Sequence, residues 1–570
     1  MARQTLQNTE EFCRLMALPR RKLTSDAAEQ LARIYTKLLR RKGGTRTLQK
    51  EQGASLHEIE LNAKLGRGAV LMLPVGKGKT DIGFLAPVLL KSERTALISE
   101  HALEGQTHDD WSNLYRHWKS PRNPIKFISW ESITSRHRPN LLGDYNPKVL
   151  IIDESDGAAA WAKSRAARID RFRLEHPKAI IICMTATPSR MSLLGYGHHL
   201  VWSLKDGAPV PRDRHELEML AALLDEKVRD PLSRPLPGPW GSDREAALKR
   251  FARRLRETQG VVIFDEDSCK QSLTIEFLQA SPCKEIDHAF EQLLLRGRNL
   301  AGVPVTDALS RYRCESQMGC GLISEYDDPK PPEAWIHARR ALARFVRRKI
   351  ARSRYTGHPL DTTAQVLSAY KHHEVIKAWE AVREYKPKMK VIWFSDQVVK
   401  DAKAWLKQQK TPSIIWCGSK PLGKKIAAEL RIPYFGAGGR GSTGLLLHEF
   451  AKLGGHMVCS WQANKKGFNL QAWHNQIIII PPQSAKWLEQ WLGRTHRAKQ
   501  NKPVKATILV TSGVIVDAFH SALREARHCK KTVSLTQKIL RAKIKLPTLK
   551  GSSYRWSTGE DRVSRQDNAV

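Results

Sequence analysis

This chain of 570 residues is short of acid. Asp and Glu total 57 against 95 Lys and Arg, a formal net charge of +38 at neutral pH, which argues against partners that are themselves cationic and points to a polyanion. Nucleic acid is the first candidate for it. No apolar run approaches the roughly 18 residues of a spanning helix, and no charged-then-apolar leader opens the sequence, so a membrane protein is not expected and a cytoplasmic setting is. Nine cysteines occur without a Cys-x-x-Cys pair, which fits reduced, mostly buried thiols better than disulfides or a zinc module. Cys314, Cys320 and His337 match no usual metal-ligand spacing, and no structural metal is expected. No internal repeat is apparent.

Against these absences stands one dense stretch, Leu71-Met-Leu-Pro-Val-Gly-Lys-Gly-Lys-Thr80. An apolar run, Ala69 to Leu73, predicts a buried strand, and Ile82 to Leu90 has helical spacing. A glycine turn between strand and helix is the setting of a phosphate-binding loop. Gly76 and Gly78 let backbone N–H groups approach a polyphosphate, Lys79 brings a charge to the β and γ phosphates, and the Thr80 hydroxyl can hold Mg2+. Leu73 stands where the full spacing wants a small residue. Upstream, Gln52 is the candidate to read an adenine edge, because its amide offers a donor and an acceptor, with Gln49 as second choice.

Further along, Val149 to Ile152 predicts a strand that ends in Asp153-Glu154-Ser155-Asp156. Adjacent carboxylates at a strand end suit a Mg-nucleotide site, Asp153 acting on the ion and Glu154 on the attacking water. Ala179 to Met184 predicts another strand, followed by Thr185-Ala186-Thr187-Pro188, whose hydroxyls can bond a neighbouring carboxylate. Trp111, Leu114 and Trp118 at helical spacing are expected in the core. Strands alternating with helices predict a parallel sheet with ligands at its carboxyl edge.

The middle of the chain reads as mainly helical and basic. Between Arg339 and Arg354 there are eight Lys or Arg residues, while Trp335, Leu342, Phe345, Val346 and Ile350 share one face, which suggests phosphate contacts by the other. Asp225-Glu226-Lys227 reads as surface charge. A second alternating region has strands at Val391 to Ser395, Ser413 to Trp416, His456 to Ser460 and Ile477 to Ile480. Its later loops read Gly467-Phe468-Asn469-Leu470-Gln471 and Gln490-Trp491-Leu492-Gly493-Arg494-Thr495-His496-Arg497-Ala498-Lys499-Gln500. Arg494 and Arg497, three apart on one helical face, are candidates to stabilise charge on a transferring phosphoryl group.

Taken together these residues resemble superfamily 2 helicase-type ATPases, and within them the SWI/SNF-like branch. The carriers are Gly467-Phe468-Asn469-Leu470-Gln471, the Gln490-x-x-Gly493-Arg494-x-His496-Arg497-x-x-Gln500 segment, and Ile128-Ser129-Trp130-Glu131. Pro74-Val75-Gly76 and Thr185 to Pro188 are more similar to the motors of restriction enzymes, and Lys465 and Lys466 replace the branch's usual glycine or apolar residue. The resemblance implies two RecA-like lobes clamping ATP, with Gln52, Gly76, Gly78, Lys79 and Thr80 binding nucleotide, Thr80 and Asp153 holding Mg2+, Glu154 handling water, and Gln490, Arg494 and Arg497 crossing the cleft. The plan, with no chromatin-reading module, looks more like phage or mobile-element relatives. The expected organisation is a basic helical extension over 1–45, a first RecA-like lobe over 46–205, a basic helical insertion over 206–365, a second lobe over 366–512 and a basic extension with a disordered tail over 513–570. The expected activity is ATP-driven translocation on double-stranded DNA. Strand separation on DNA or RNA is the alternative, and a non-hydrolysing nucleic-acid scaffold is the reading of another class.

Overall fold

Ala69–Met72 is a strand because all four residues are apolar, and each finds a helix-covered face to enter. Val70 and Met72 point into one core and Ala69 and Leu71 into another, the two-sided burial that parallel sheets require. The computed structural model describes residues 9–21, 24–135, 138, 140–159, 163–188, 191–226, 234–300, 302, 305, 308–327, 333–353, 360–385, 388–464, 468–547, 549–550 and 555. Apart from the buried Arg555, the expected disordered tail lies outside them, as do Lys465, Lys466 and Gly467.

Fifteen strands are described: β1 Ala69–Met72, β2 Thr95–Ser99, β3 Lys126–Ser129, β4 Val149–Ile152, β5 Ile180–Thr185, β6 Val261–Ile263, β7 Leu273–Gln279, β8 Leu322–Tyr326, β9 Met389–Trp393, β10 Ser413–Cys417, β11 Tyr434–Phe435, β12 Met457–Ser460, β13 Asn475–Ile479, β14 Val504–Val510 and β15 Lys543–Lys545. The first six form one sheet in the order β3-β2-β4-β5-β1-β6, every pairing parallel. Seven form the other, β11-β12-β10-β13-β14-β7-β15, again all parallel. The fold is thus α/β, built on two all-parallel sheets. Trp111, Leu114 and Trp118 lie in the core of the first, as their spacing predicts.

The chain divides into two compact units. One takes Met1–Glu266, Glu333–Glu384 and Arg527–Thr536, the other Asp267–Pro332, Tyr385–Ala526 and Gln537–Val570. The stretch 206–365 therefore serves both. It supplies β6 as an edge of the first sheet and β7 as an inner strand of the second. In the first unit its Glu333–Ser353 helix buries Trp335, Phe345, Val346 and Ile350, the last three in a small core with Val366 and Ile376.

Two local readings are corrected. The strand expected at Val391 to Ser395 is β9, which pairs antiparallel with β8 and stays out of the second parallel sheet. Its residues are half exposed, with Met389 at 55%, so they lack the two covered faces that a central parallel strand needs. Asp225 is not surface charge: it is 7% exposed, and its carboxylate accepts the Leu193 N–H at 2.9 Å.

Candidate nucleotide site

The carboxyl ends of β1, β4 and β5 meet along one edge of the first sheet, since β5 pairs with both neighbours. The chain leaving β1 is then about 10 Å from the chain leaving β4, two strand spacings away. Into that gap come the glycine turn and the carboxylates.

The turn leads from β1 into the Lys79–Leu89 helix. Gly76 and Gly78 have φ of +88° and +69°, left-handed values that bend the backbone toward the helix N-terminus at no steric cost. The helix's first N–H groups point into the loop, which favours an anion. Lys79 Nζ donates to the Leu73 carbonyl at 3.2 Å and the Pro74 carbonyl at 3.5 Å, arching back over the turn. The unusual Leu73 fits because its side chain is buried in the core below the sheet, leaving only its backbone to the loop.

Gln52 lies against this turn from the Lys50–Lys64 helix, 3% exposed. Its Nε2 donates to the Gly78 carbonyl and to Asp81 Oδ2, both at 3.3 Å, and its Oε1 accepts the Gln49 N–H at 2.8 Å. The amide braces the loop: a methyl on Gly78 would sit 2.1 Å from Gln52 Nε2. Beside it Lys77 and Glu51 form an ion pair with both side chains under a tenth exposed. Asp81 is raised above the usual carboxylate range by burial, against the opposing pull of Arg46 at 3.6 Å and of the Gln52 amide. Glu51, Lys77 and Asp81 escaped the sequence reading; the signal was there, in charged residues directly flanking an apolar strand and a glycine turn.

Across the gap, Asp153 closes β4 and its Oδ1 accepts the Glu154 N–H at 3.0 Å. Glu154 has φ +48° and ψ +53°, a left-handed conformation that costs a non-glycine residue on the order of 1 kcal/mol. Such strain persists where surroundings over-determine it. The tightening element is the short 3-10 turn Ser155–Ala158. Its Asp156 accepts from the Thr185 hydroxyl at 3.4 Å, and that hydroxyl in turn accepts the Thr187 N–H at 3.0 Å, so the β5 end is tied to the carboxylate turn as the Thr-Ala-Thr-Pro reading anticipates. From the Gly197–Leu204 helix, His198 Nε2 donates to the Ala158 carbonyl at 2.8 Å and His199 Nδ1 lies 3.5 Å from Ser155 Oγ. Burial holds His199 well below the ordinary imidazole range, so it is neutral. The donor set fits Mg2+, which takes one or two carboxylates beside phosphate oxygens and water: Thr80 and Asp153 are the residues that would hold it.

The second unit knits its own two motifs together. Leu470 N–H donates to the Arg494 carbonyl at 3.0 Å, and Gln471 Nε2 to the Ala498 carbonyl at 3.2 Å. Gln500 Nε2 reaches the carbonyls of Gln471, Trp473 and Thr495 between 3.0 and 3.2 Å, while its Oε1 accepts from Asn501 and Lys502. Gln490 and Arg494 lie in the Ala485–Thr495 helix, and both are buried. Arg494 donates to the carbonyls of Gln490 at 3.1 Å and Phe468 at 3.0 Å. Arg497 is off the helix, which ends at Thr495 with His496 as its cap, so the two arginines do not share a helical face. His496 explains the stop. Its Nε2 donates to the Gln271 carbonyl at 2.7 Å and its Nδ1 accepts from Lys538 Nζ at 3.2 Å, a pairing only the neutral ring can make. Burial and the Lys538 charge both push its pKa down.

No protein-family model matches the chain, and no curated protein matches it in sequence. Among solved structures it is similar to the Hef helicase domain of Pyrococcus furiosus, at 14% identity over 82% of this chain and 98% of that one, with a TM-score of 0.36.

Proposed function

We propose that this protein is a Mg2+-dependent ATPase that converts hydrolysis into translocation on double-stranded DNA. The observation that carries the reading is the convergence, on one sheet edge, of the Gly76–Thr80 turn with the Asp153–Glu154 pair and the Thr185–Asp156 link. In it Gly76 and Gly78 present backbone N–H groups to the phosphates, Lys79 leaves its carbonyl partners for them, and Thr80 and Asp153 hold the ion. Glu154, fixed by its own turn, orients and deprotonates water. Gln52 keeps the loop shaped and is the residue beside the base. In the second unit Arg494 and Arg497, with Gln490, are the candidates for the charge on the transferring phosphoryl group. The Thr185–Asp156 contact offers a route from nucleotide state to β5 and beyond, which a motor needs and a simple nucleotide-binding scaffold does not.

The test is phosphate release from Mg-ATP, alone and with equal masses of duplex DNA, single-stranded DNA or RNA. Stimulation by duplex DNA is expected, abolished in Glu154→Gln and Lys79→Ala while nucleic-acid binding persists. Turnover surviving both substitutions would end the reading. Stimulation by single strands or RNA alone would move it to strand separation, and ATP binding without release on any polymer would leave a scaffold.

A further inference from the structure

The Glu333–Ser353 helix carries seven basic residues, Arg339, Arg340, Arg344, Arg347, Arg348, Lys349 and Arg352, and one acid, Glu333 at its start. Its apolar stripe is buried, so the basic residues occupy what remains. Two are turned onto rings: Arg339 lies 5.0 Å from the Trp335 ring centre and Lys349 lies 4.1 Å from that of Tyr370. Arg340, Arg344, Arg347, Arg348 and Arg352 are exposed, and among the described residues none of the five makes an ion pair. Several other arginines of the same unit are instead held by protein groups. Arg14 is bonded to three backbone carbonyls, Arg254 to two, Arg67 to Asp206, and Arg168 and Arg171 to Asp361.

A solvated helix face ordinarily mixes signs, because like charges three or four residues apart repel. Here 340, 344, 348 and 352 follow one another at four-residue steps, about 6 Å each, with 347 beside them. The row is about 18 Å long and is destabilising to the helix that carries it unless a polyanion lies along it. Planar guanidinium groups suit phosphate oxygens, which they bind in pairs. The platform beneath is firm. Asp361, just after the helix, is 2% exposed and lies 2.8 Å from Arg171 and 3.6 Å from Arg168 of the Ser164–Glu175 helix.

We infer that the row Arg340, Arg344, Arg348 and Arg352, with Arg347, is a phosphodiester-backbone contact surface, on which a nucleic-acid strand lies along the helix. This rests on the reading of the protein as a nucleic-acid motor and names where in the first unit the backbone is held. The contact is sequence-independent, since phosphates carry no base information.

The experiment uses the full chain with Arg340, Arg344, Arg348 and Arg352 changed together to Gln. The control changes four exposed lysines of the other unit, Lys403, Lys407, Lys410 and Lys424, to Gln. Fluorescence anisotropy with labelled duplex DNA, single-stranded DNA and RNA is read across a salt series, beside unstimulated ATP hydrolysis and binding to anionic phospholipid vesicles. Four lost phosphate contacts lower the slope of log K against log salt by about 3 to 4 on duplex DNA, with a far smaller change in the control and with unstimulated hydrolysis kept. Equal weakening in both variants would overturn the inference, as would nucleic-acid slopes unchanged while vesicle binding is lost. Failure of the unaltered protein to bind any nucleic acid would instead overturn the motor reading on which it stands.

Discussion

Glu154 and Asp225 are both carboxylates in unfavourable circumstances. Glu154 is held in a left-handed backbone at the end of β4, where its side chain can be aimed at one point instead of wandering over the strand end. Asp225 is buried at the end of the Arg214–Leu224 helix, and burial raises it from 3.8 to about 6, although the Leu193 N–H, the Ser192 side chain and the Arg234 and Arg244 charges pull the other way. A carboxyl whose native pKa is raised binds more protons folded than unfolded near pH 5, so stability falls as pH rises from about 4 to about 6 and stays lowered above that. That difference corresponds to on the order of 2 to 3 kcal/mol. Asp225→Asn keeps an acceptor for Leu193 and cannot ionise. Urea melts at pH 4 and pH 7 should therefore show the variant gaining on the native protein as pH rises; an unchanged difference would mean that Asp225 is solvated. This residue looked like surface charge because the Asp-Glu-Lys triplet is polar throughout; only the tertiary contact with Leu193 buries its first member.

At the scale of elements, most of what builds the candidate nucleotide site could be read in the sequence, because it is local: an apolar run, a glycine turn and a helix, then a run ending in two acids. The edges of the sheets could not. β6 has three residues, and β15, Lys543–Lys545, pairs with β7 from some 270 positions away; neither leaves a periodic trace. Arg497 failed to follow Arg494 onto one helical face because His496 finds Gln271 and Lys538, partners that no spacing rule announces. The Asp361 anchor is of the same long-range kind, and it carries a prediction. Arg168 and Asp361 are buried, at 5% and 3% side-chain exposure, and removing one partner of such a pair costs about 3 to 5 kcal/mol because a charge is left in the interior. Asp361→Asn should loosen the Glu333–Ser353 helix and its companions first. Hydrogen exchange of that helix should quicken by two or more orders of magnitude (1.4 kcal/mol per factor of ten) while amides of β1, β4 and β5 keep their protection. Equal acceleration everywhere would show that the helix is not separately anchored to this unit by Asp361.

For the molecule as a whole the excess of +38 acts on the fold and on its partner in opposite directions. Like charges on one chain repel and lower the stability of the compact state, whereas the same charges drive association with a polyanion by releasing its counterions. Salt screens both, with a Debye length near 10 Å at 0.1 M and about 3 Å at 1 M. Raising salt from 50 to 200 mM should therefore raise the melting temperature of the isolated protein, by about 1 °C for each kcal/mol of repulsion removed in a chain of this length. The same step should weaken duplex DNA binding by about 10³ if some six phosphates are neutralised. Differential scanning calorimetry and anisotropy on one preparation measure the two together. A melting temperature that falls with salt would mean that the ion pairs already formed, such as Arg67–Asp206 and Arg171–Asp361, outweigh the surplus. Affinity indifferent to salt would mean that the surplus is spread over surfaces that no phosphate touches, and the arginine row of the Glu333–Ser353 helix would then be a solvated face after all.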